Sequence, residues 1–134
     1  MPHLVILYTK NLDAETDCDA LCRALAEVMV ALRDEGGQPV FPTGGVRVLA
    51  YPAAHAAVAD GQRDYAFVYL NLRMARGRSA EVKQRTGAAL LAAARAHLAP
   101  LFAQRYLGLT LQIDEGQEVF DAKHSTIHPL FRKE

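Results

Sequence analysis

Residues 65–79 read YAFVYLNLRMARGRS, and the rest of the architecture follows from this pattern. Residues 65–73 are rich in aromatic and β-branched side chains, which predicts a strand. Ser79 is a good helix N-cap, and Glu81 suits the first turn. An apolar stripe at helical spacing continues through Val82, Thr86, Leu90, Ala93, His97 and Leu101. The segment therefore predicts a strand that leads into a long helix.

The same order of elements occurs earlier in the chain. Residues 3–9, HLVILYT, predict a central strand, and the acidic stretch 13–17 suits the start of a helix that ends at Gly36-Gly37. Each helix is followed by a predicted strand. These strands are residues 46–51, closed by Pro52, and residues 107–113, where apolar and polar side chains alternate. Proline lacks the N–H that a helix requires, so we expect Pro100 to kink or end the second helix near Ala99.

The two halves suggest a duplicated unit. We expect one domain, 1–134, with β-α-β pseudo-repeats at about 2–60 and 61–115 and a C-terminal tail at 116–134. Right-handed crossovers then give an α+β fold, a four-stranded mixed sheet with both helices on one face. The other face of the sheet is left bare, and self-association is the simplest way to cover it.

Composition narrows the classes of partner. The chain has 134 residues, of which 51% are hydrophobic, and 15 basic residues balance 15 acidic ones. A core is therefore expected, and there is no electrostatic reason to expect a nucleic acid or a membrane surface as partner. The apolar runs are far shorter than the roughly 20 residues that cross a bilayer. No signal peptide is visible at the N-terminus, which predicts a cytoplasmic location.

Motifs for bound cofactors are absent from the sequence. It contains no Walker loop, GxGxxG, HExxH or CxxC, so we expect neither a cofactor nor a metal. His124 and His128 have the spacing of a helical metal pair, but Pro129 disfavours a helix there, and a docked or solvated tail is the favoured interpretation. Cys18 and Cys22 fit small buried side chains better than a disulfide or metal pair.

Pro2 is the first candidate for chemistry. Initiator methionine is normally removed before a small residue, which would leave Pro2 with a free secondary amine at the head of a strand. A free α-amino group has a pKa of about 7.7–8.0. Apolar burial and nearby cations both lower that value toward the range a general base needs. The alternative is that a Met-Pro start has no role.

The second candidate is the group Arg73, Arg76 and Arg78, which directly precedes the second helix. Guanidinium groups and helix N–H groups together bind anions, although a solvated basic loop is the alternative. The first and third strands of such a sheet are adjacent and antiparallel. Pro2 and the arginines are thus expected at the same end, where a base beside an anion site suits proton transfer on a carboxylated substrate.

With these residues the sequence resembles the 5-carboxymethyl-2-hydroxymuconate isomerase family of the tautomerase superfamily. The matching segments are Pro2-His3, Gly45-Val46-Arg47, ADGQ and DYAFV within residues 59–68, Gly77-Arg78-Ser79 and His128-Pro129-Leu130-Phe131-Arg132. They span nearly the whole chain, and the segments at 59–68 and 77–79 are the most specific.

The resemblance implies a cofactor-free homotrimer that acts in homoprotocatechuate breakdown. Such an enzyme isomerises an unsaturated 2-hydroxy acid to its 2-oxo form by moving a proton from oxygen to a distant carbon. It further implies that Pro2 is the proton shuttle, and that Arg47 and Arg78 bind the substrate carboxylates and the developing 2-oxo oxygen. Arg73 and Arg76 are possible additional anion contacts.

The sequence also departs from the family pattern. Leu49 stands where relatives often carry a second arginine, and the loop at 34–44 looks longer. Two alternatives follow. One is a superfamily enzyme that acts on a different small carboxylic acid, and the other is a non-catalytic trimeric binding protein.

Overall fold

A computed structural model describes residues 2–131; Met1 and the end of the tail, 132–134, lie outside the described residues. The strands are β1 (His3–Thr9), β2 (Arg47–Ala53), β3 (Tyr65–Ala75) and β4 (Tyr106–Gly116). The helices are α1 (Cys18–Ala31) and α2 (Ala80–Phe102). Short 3-10 turns lie at Lys10–Leu12, Thr43–Gly45 and His128–Phe131.

The sheet has the order β2-β1-β3-β4. Strand β1 is parallel to β2 and antiparallel to β3, and β3 is parallel to β4. The predicted four-stranded mixed sheet is therefore confirmed, with β1 and β3 side by side at its centre. The register sets His3 opposite Arg73, so the start of β1 meets the end of β3 as expected.

Both helices pack against one face of the sheet. Leu4 and Ile6 of β1 are fully buried there, beside Leu70 and Leu72 of β3. The helix residues buried with them are Leu21, Leu25, Met29, Val82, Thr86, Leu90, Ala94, Leu98 and Leu101. On the opposite face Leu7, Leu49 and Tyr51 remain 44%, 47% and 47% exposed. The chain by itself leaves this apolar face bare.

The N-terminal ends of the helices follow the sequence closely. Asp17 caps α1 through a bond from the Ala20 N–H, and Ser79 caps α2 through a bond from the Val82 N–H. The buried stripe of α2 turns slightly from the expected one, because Ala94 and Leu98 are buried while Ala93 and His97 are half-buried. His97 Nε2 instead lies 2.9 Å from the Thr16 hydroxyl.

The C-terminal end of α1 differs from the prediction. The helix ends at Ala31, not at Gly36-Gly37. Asp34 explains the early end, because its Oδ1 accepts from the N–H groups of Gly36 and Gln38 and closes a tight turn there. The Val40 N–H then donates to the Leu32 carbonyl at 3.1 Å, so the loop folds back on itself.

Neither Pro52 nor Pro100 ends its element, as the sequence had allowed. Helix α2 runs through Pro100 to Phe102, because a proline in the last turn removes only one bond and the local backbone faces solvent. The Ala103 N–H still bonds the Ala99 carbonyl. Strand β2 likewise continues through Pro52 to Ala53, since it lies at the sheet edge, where a missing N–H breaks no ladder.

Candidate active site

Pro2 lies at the head of β1 and is buried. Its carbonyl oxygen accepts from the Arg47 N–H at 3.3 Å, which brings the start of β2 beside it. On its other side the register places Pro2 one residue beyond the His3–Arg73 pair, level with the buried Met74. The residue is thus enclosed between the start of β2 and the end of β3.

Arg47, the first residue of β2, is half-buried. Its Nη1 donates to the carbonyl oxygens of Gly44 at 2.8 Å and Val46 at 3.0 Å. These two bonds fix the guanidinium against the turn that precedes β2. Among the described residues they use only Nη1, so the Nε and Nη2 donors remain available to an anion.

Arg78 is held more completely. Its Nε and Nη2 donate to the Val40 carbonyl at 3.3 and 2.9 Å, and its Nη1 donates to the Ala75 carbonyl at 2.9 Å. The guanidinium carbon also lies 4.8 Å from the ring centre of the fully buried Phe41. Burial lowers the pKa of Arg78, with nearby Glu115 opposing the shift. Arginine starts from so high a value that it stays charged.

Arg73 and Arg76 are exposed and lie toward β4. The Arg73 guanidinium lies over the end of β4, since its Nη2 would be 3.1 Å from a Cβ atom built on Gly116. The Arg76 Nη2 donates to Gln117 Oε1 at 3.2 Å. The structure therefore brings all four arginines to the Pro2 end of the sheet. Only Arg47 is bonded directly to Pro2, and Arg76 is engaged by the segment that follows β4.

Sequence reasoning missed the loop that supports both arginines. Val40 and Gly44 supply the carbonyls that hold Arg78 and Arg47, a role that the loop-like composition of this region does not predict. Gly44 and Gly45 are both buried. Their adjacency in the sequence is the signal that could have pointed to a tightly packed turn.

The ADGQ segment lies at the other end of the sheet. Asp60 Oδ1 accepts from the Gln62 N–H at 3.0 Å and from the Tyr65 hydroxyl at 2.8 Å, and these bonds lower the pKa of the Asp60 carboxyl. Gly61, with φ of 69°, completes the turn. This specific part of the resemblance therefore shapes a turn before β3, at the end of the sheet opposite Pro2.

Neither a metal cluster nor a membrane span is found in residues 2–131. In that range no group of three His, Cys, Asp or Glu side chains is placed to hold a metal ion. None of the helices there is both long and apolar enough to cross a membrane.

The sequence model of the 5-carboxymethyl-2-hydroxymuconate isomerase family matches residues 2–131. The chain belongs to this family. A curated relative, the 5-carboxymethyl-2-hydroxymuconate Delta-isomerase of Escherichia coli, is 33% identical over 132 residues, which cover 98% of this chain and 100% of the relative.

Solved structures agree with the assignment to the isomerase family. A crystal structure of a 5-carboxymethyl-2-hydroxymuconate delta-isomerase aligns with a TM-score of 0.96 and 57% identity, covering 100% of this chain and 95% of the other. A 5-carboxymethyl-2-hydroxymuconate isomerase from Deinococcus radiodurans R1 aligns with a TM-score of 0.88 and 41% identity, covering 98% of this chain and 95% of the other. A fused 4-OT described as a symmetric trimer shares the fold alone, at 0.53 and 17% identity over 95% and 98%. The family resemblance and the tautomerase-like fold predicted from the sequence are confirmed.

Proposed function

We propose that this family member isomerises 5-carboxymethyl-2-hydroxymuconate from its unsaturated 2-hydroxy form to the 2-oxo form. The names of the relatives at 33% and 57% identity support the substrate. The observation that carries the chemistry is the placement of a buried Pro2 beside Arg47. It ties a potential base to the main chain of the residue whose guanidinium keeps uncommitted donors, and proton transfer on a carboxylate requires both groups.

Pro2 is the proton shuttle in this proposal. Once Met1 is removed, its neutral amine accepts the proton of the substrate 2-hydroxyl. The electrons of that O–H bond form the C=O bond, the double bonds move along the chain, and Pro2 returns the proton to the distant carbon. Atoms and charge balance without a redox partner, so the proposed reaction requires no cofactor or metal.

Arg47 and Arg78 have different electrostatic roles in this proposal. Arg47 binds a substrate carboxylate through the donors that its backbone contacts leave available. Arg78 stabilises the developing 2-oxo oxygen, and its bonds to Val40 and Ala75 orient it before substrate arrives. Arg73 contributes additional positive charge at the rim, while Arg76 is already bonded to Gln117.

A homotrimer completes the proposed enzyme. The apolar face around Leu7, Leu49 and Tyr51 is about half exposed in the single chain, and packing three copies through this face removes it from water. The neutral charge balance and the family's role in small-acid catabolism support a cytoplasmic enzyme with no nucleic acid or membrane partner.

The decisive experiment begins with the intact mass of the untagged protein, which reports removal of Met1. Ketonisation of 5-carboxymethyl-2-hydroxymuconate is then followed by its ultraviolet absorbance. Pro2→Ala should lose about 100-fold in kcat, within the usual range for a general base. A variant with an uncleaved residue before Pro2 is the matched control, because it keeps the proline but removes the basic nitrogen. Full activity in that control contradicts the mechanism.

Leu49 favours a second candidate substrate. It follows Arg47 by two residues, so it presents an apolar side chain on the same face of β2. A small acid with one carboxylate and an apolar remainder suits that pair better than a dicarboxylate does. Comparing kcat/KM for a 2-hydroxydienoate with one and with two carboxylates distinguishes the two substrates.

A further inference from the structure

The segment after β4 joins the two edges of the sheet at the Pro2 end. Strand β4 ends at Gly116 beside Ala75, at one edge. The 3-10 turn His128–Phe131 packs against Gly44, just before β2 at the other edge. We call this turn the C-terminal turn. The chain between its two attachments includes Val119 and Phe120, which are 103% and 85% exposed, so the attachments themselves hold the segment in place.

The C-terminal turn is seated very closely on Gly44. A Cβ at Gly44 would lie 2.8 Å from His128 Cα and 3.3 Å from Phe131 Cδ2. The first of these atoms is backbone, so any side chain at Gly44 would force the C-terminal turn away. Ser125 begins the turn by accepting from the N–H groups of Ile127 and His128 at 3.0 and 3.3 Å.

The same glycine supports the proposed substrate-binding arginine. The Gly44 carbonyl accepts from Arg47 Nη1 at 2.8 Å. Ile127 and Phe131 line one groove of about 810 Å³ together with Arg47 and Leu49. The Thr43–Gly45 turn thus contacts the C-terminal turn on one side, while the Gly44 carbonyl holds the Arg47 guanidinium. A displacement of the C-terminal turn should therefore also displace the Arg47 guanidinium.

We propose that the C-terminal turn is a positioning element for Arg47. His128 and Phe131 press on Gly44 and keep its carbonyl where it aligns the guanidinium for a substrate carboxylate. The expected change in KM rests on the proposed function. The expected change in the position of the Arg47 guanidinium does not. The proposal gives a structural role to His128–Phe131, a segment that also matches the family in sequence.

Phe131→Ala removes one side of the contact without substituting any residue of the proposed site. We expect KM to rise roughly fivefold to tenfold with kcat within about twofold, because a misaligned Arg47 weakens binding of substrate and transition state alike. Gly44→Ala should have the larger effect. Phe102→Ala, a similarly exposed phenylalanine at the end of α2, and Gly87→Ala, whose Cβ would make an ordinary 3.4 Å contact, are the matched controls.

A double-mutant cycle separates positioning from general loss of structure. In an Arg47→Ala background, Phe131→Ala should raise KM no further, since the group it positions is gone. An equal rise in both backgrounds overturns the proposal, as does an unchanged KM in the single variant.

The Arg47 Nε–H resonance, identified by its loss in Arg47→Ala, gives a readout without substrate. It should shift in Phe131→Ala but not in Phe102→Ala, and an unmoved resonance overturns the proposal. If the wild-type protein ketonises nothing while the resonance shifts, the proposed function fails and the positioning role stands. If Pro2→Ala abolishes turnover while Phe131→Ala changes neither KM nor the resonance, the proposed function stands and the positioning role fails.

Discussion

The backbone N–H of Arg47 donates to the carbonyl oxygen of Pro2 at 3.3 Å, so the first residue of β2 is tied to the residue before β1. The relationship is made by main-chain atoms and does not depend on the arginine side chain. Changes to that side chain should therefore leave Pro2 in place, which makes Arg47 a clean position for testing anion binding separately from proton transfer.

Arg47→Ala should lower kcat/KM for 5-carboxymethyl-2-hydroxymuconate by about 10- to 100-fold, mainly through KM. This is the range expected when a hydrogen bond to a charged group, worth about 1.5–3 kcal/mol, is lost. Steady-state kinetics measure the loss, and Arg47→Lys should recover only part of it because an ammonium lacks the planar fork. A KM equal to that of the wild type in Arg47→Ala would remove Arg47 from the site.

Arg78→Ala should affect stability as well as activity. Arg78 links two separate segments through the Val40 and Ala75 carbonyls and stacks on Phe41, so its loss leaves these carbonyls without their donor. We expect the free energy of unfolding to fall by about 1–3 kcal/mol, measured by urea denaturation.

The conservative variant of Arg78 separates its two roles. Arg78→Lys keeps the charge but cannot bond both carbonyls, so it should restore more of kcat than of stability. If Arg78→Lys instead recovers full stability and no activity, the contacts to Val40 and Ala75 are not what holds this part of the chain.

The strands illustrate what local sequence can predict. Strand β1 occupies residues 3–9 as expected, because an unbroken apolar, β-branched run at the sheet centre suits few other structures. Strand β3 extends two residues beyond its predicted end, to Ala75, since buried Met74 continues the alternation. Bounds fail where local polar contacts decide them, as at Asp34, whose carboxylate closes a turn around Gly36-Gly37, beyond the end of α1 at Ala31.

The site depends on contacts that local patterns do not contain. Pro2 and the arginines could be placed at one end of the sheet, because strand order alone determines that. The partner of Arg78 is Val40, which lies 38 residues earlier in the chain, and no helical or strand period connects the two. His128 and Gly44 are likewise far apart in the sequence, and their close approach becomes visible only in three dimensions.

Arg105 provides a stability test far from the site. Its side chain is 8% exposed and pairs with Glu15 at 2.6 Å and Asp64 at 2.9 Å, and it also donates to the Asn11 carbonyl at 3.2 Å. Arg105→Ala should lower the free energy of unfolding by about 2–3 kcal/mol, because the carboxylates are partly solvated and tolerate the loss better than a fully buried pair.

The control for Arg105 is Arg95→Ala, on the exposed face of α2. It should change the free energy of unfolding by no more than about 0.5 kcal/mol. Both variants should keep the wild-type kcat at temperatures where they are folded, since Arg105 and its partners lie at the end of the sheet opposite Pro2. A kcat reduced in Arg105→Ala alone would mean that the two ends are coupled.

Leu7→Lys tests the proposed trimer. Leu7 is 44% exposed on the bare face of central strand β1, and a charge placed there cannot be buried against another copy without an unpaired-charge penalty. Light scattering after gel filtration should give about three times 14.7 kDa for the wild type and a smaller assembly for Leu7→Lys. Val119→Lys, fully exposed beyond β4, is the control and should leave the mass unchanged. A trimeric Leu7→Lys places the interface elsewhere.

Tyr8 should make the fold sensitive to high pH. The side chain is 5% exposed and its hydroxyl donates to Asp13 Oδ1 at 2.6 Å; burial first, and then this bond, raise the pKa of Tyr8 well above its usual value. The folded state therefore holds the phenolic proton above about pH 10, where the unfolded chain releases it. Stability from this group is complete below about pH 10 and is lost as pH rises further.

Urea denaturation from pH 8 to 11 measures this dependence on pH. In Tyr8→Phe the free energy of unfolding should be about 1 kcal/mol lower at pH 8, because the bond to Asp13 is gone, but its decline above pH 10 should be shallower. If Tyr8→Phe and the wild type lose stability in parallel above pH 10, then other groups cause the loss, and the buried hydroxyl is not the source of the sensitivity.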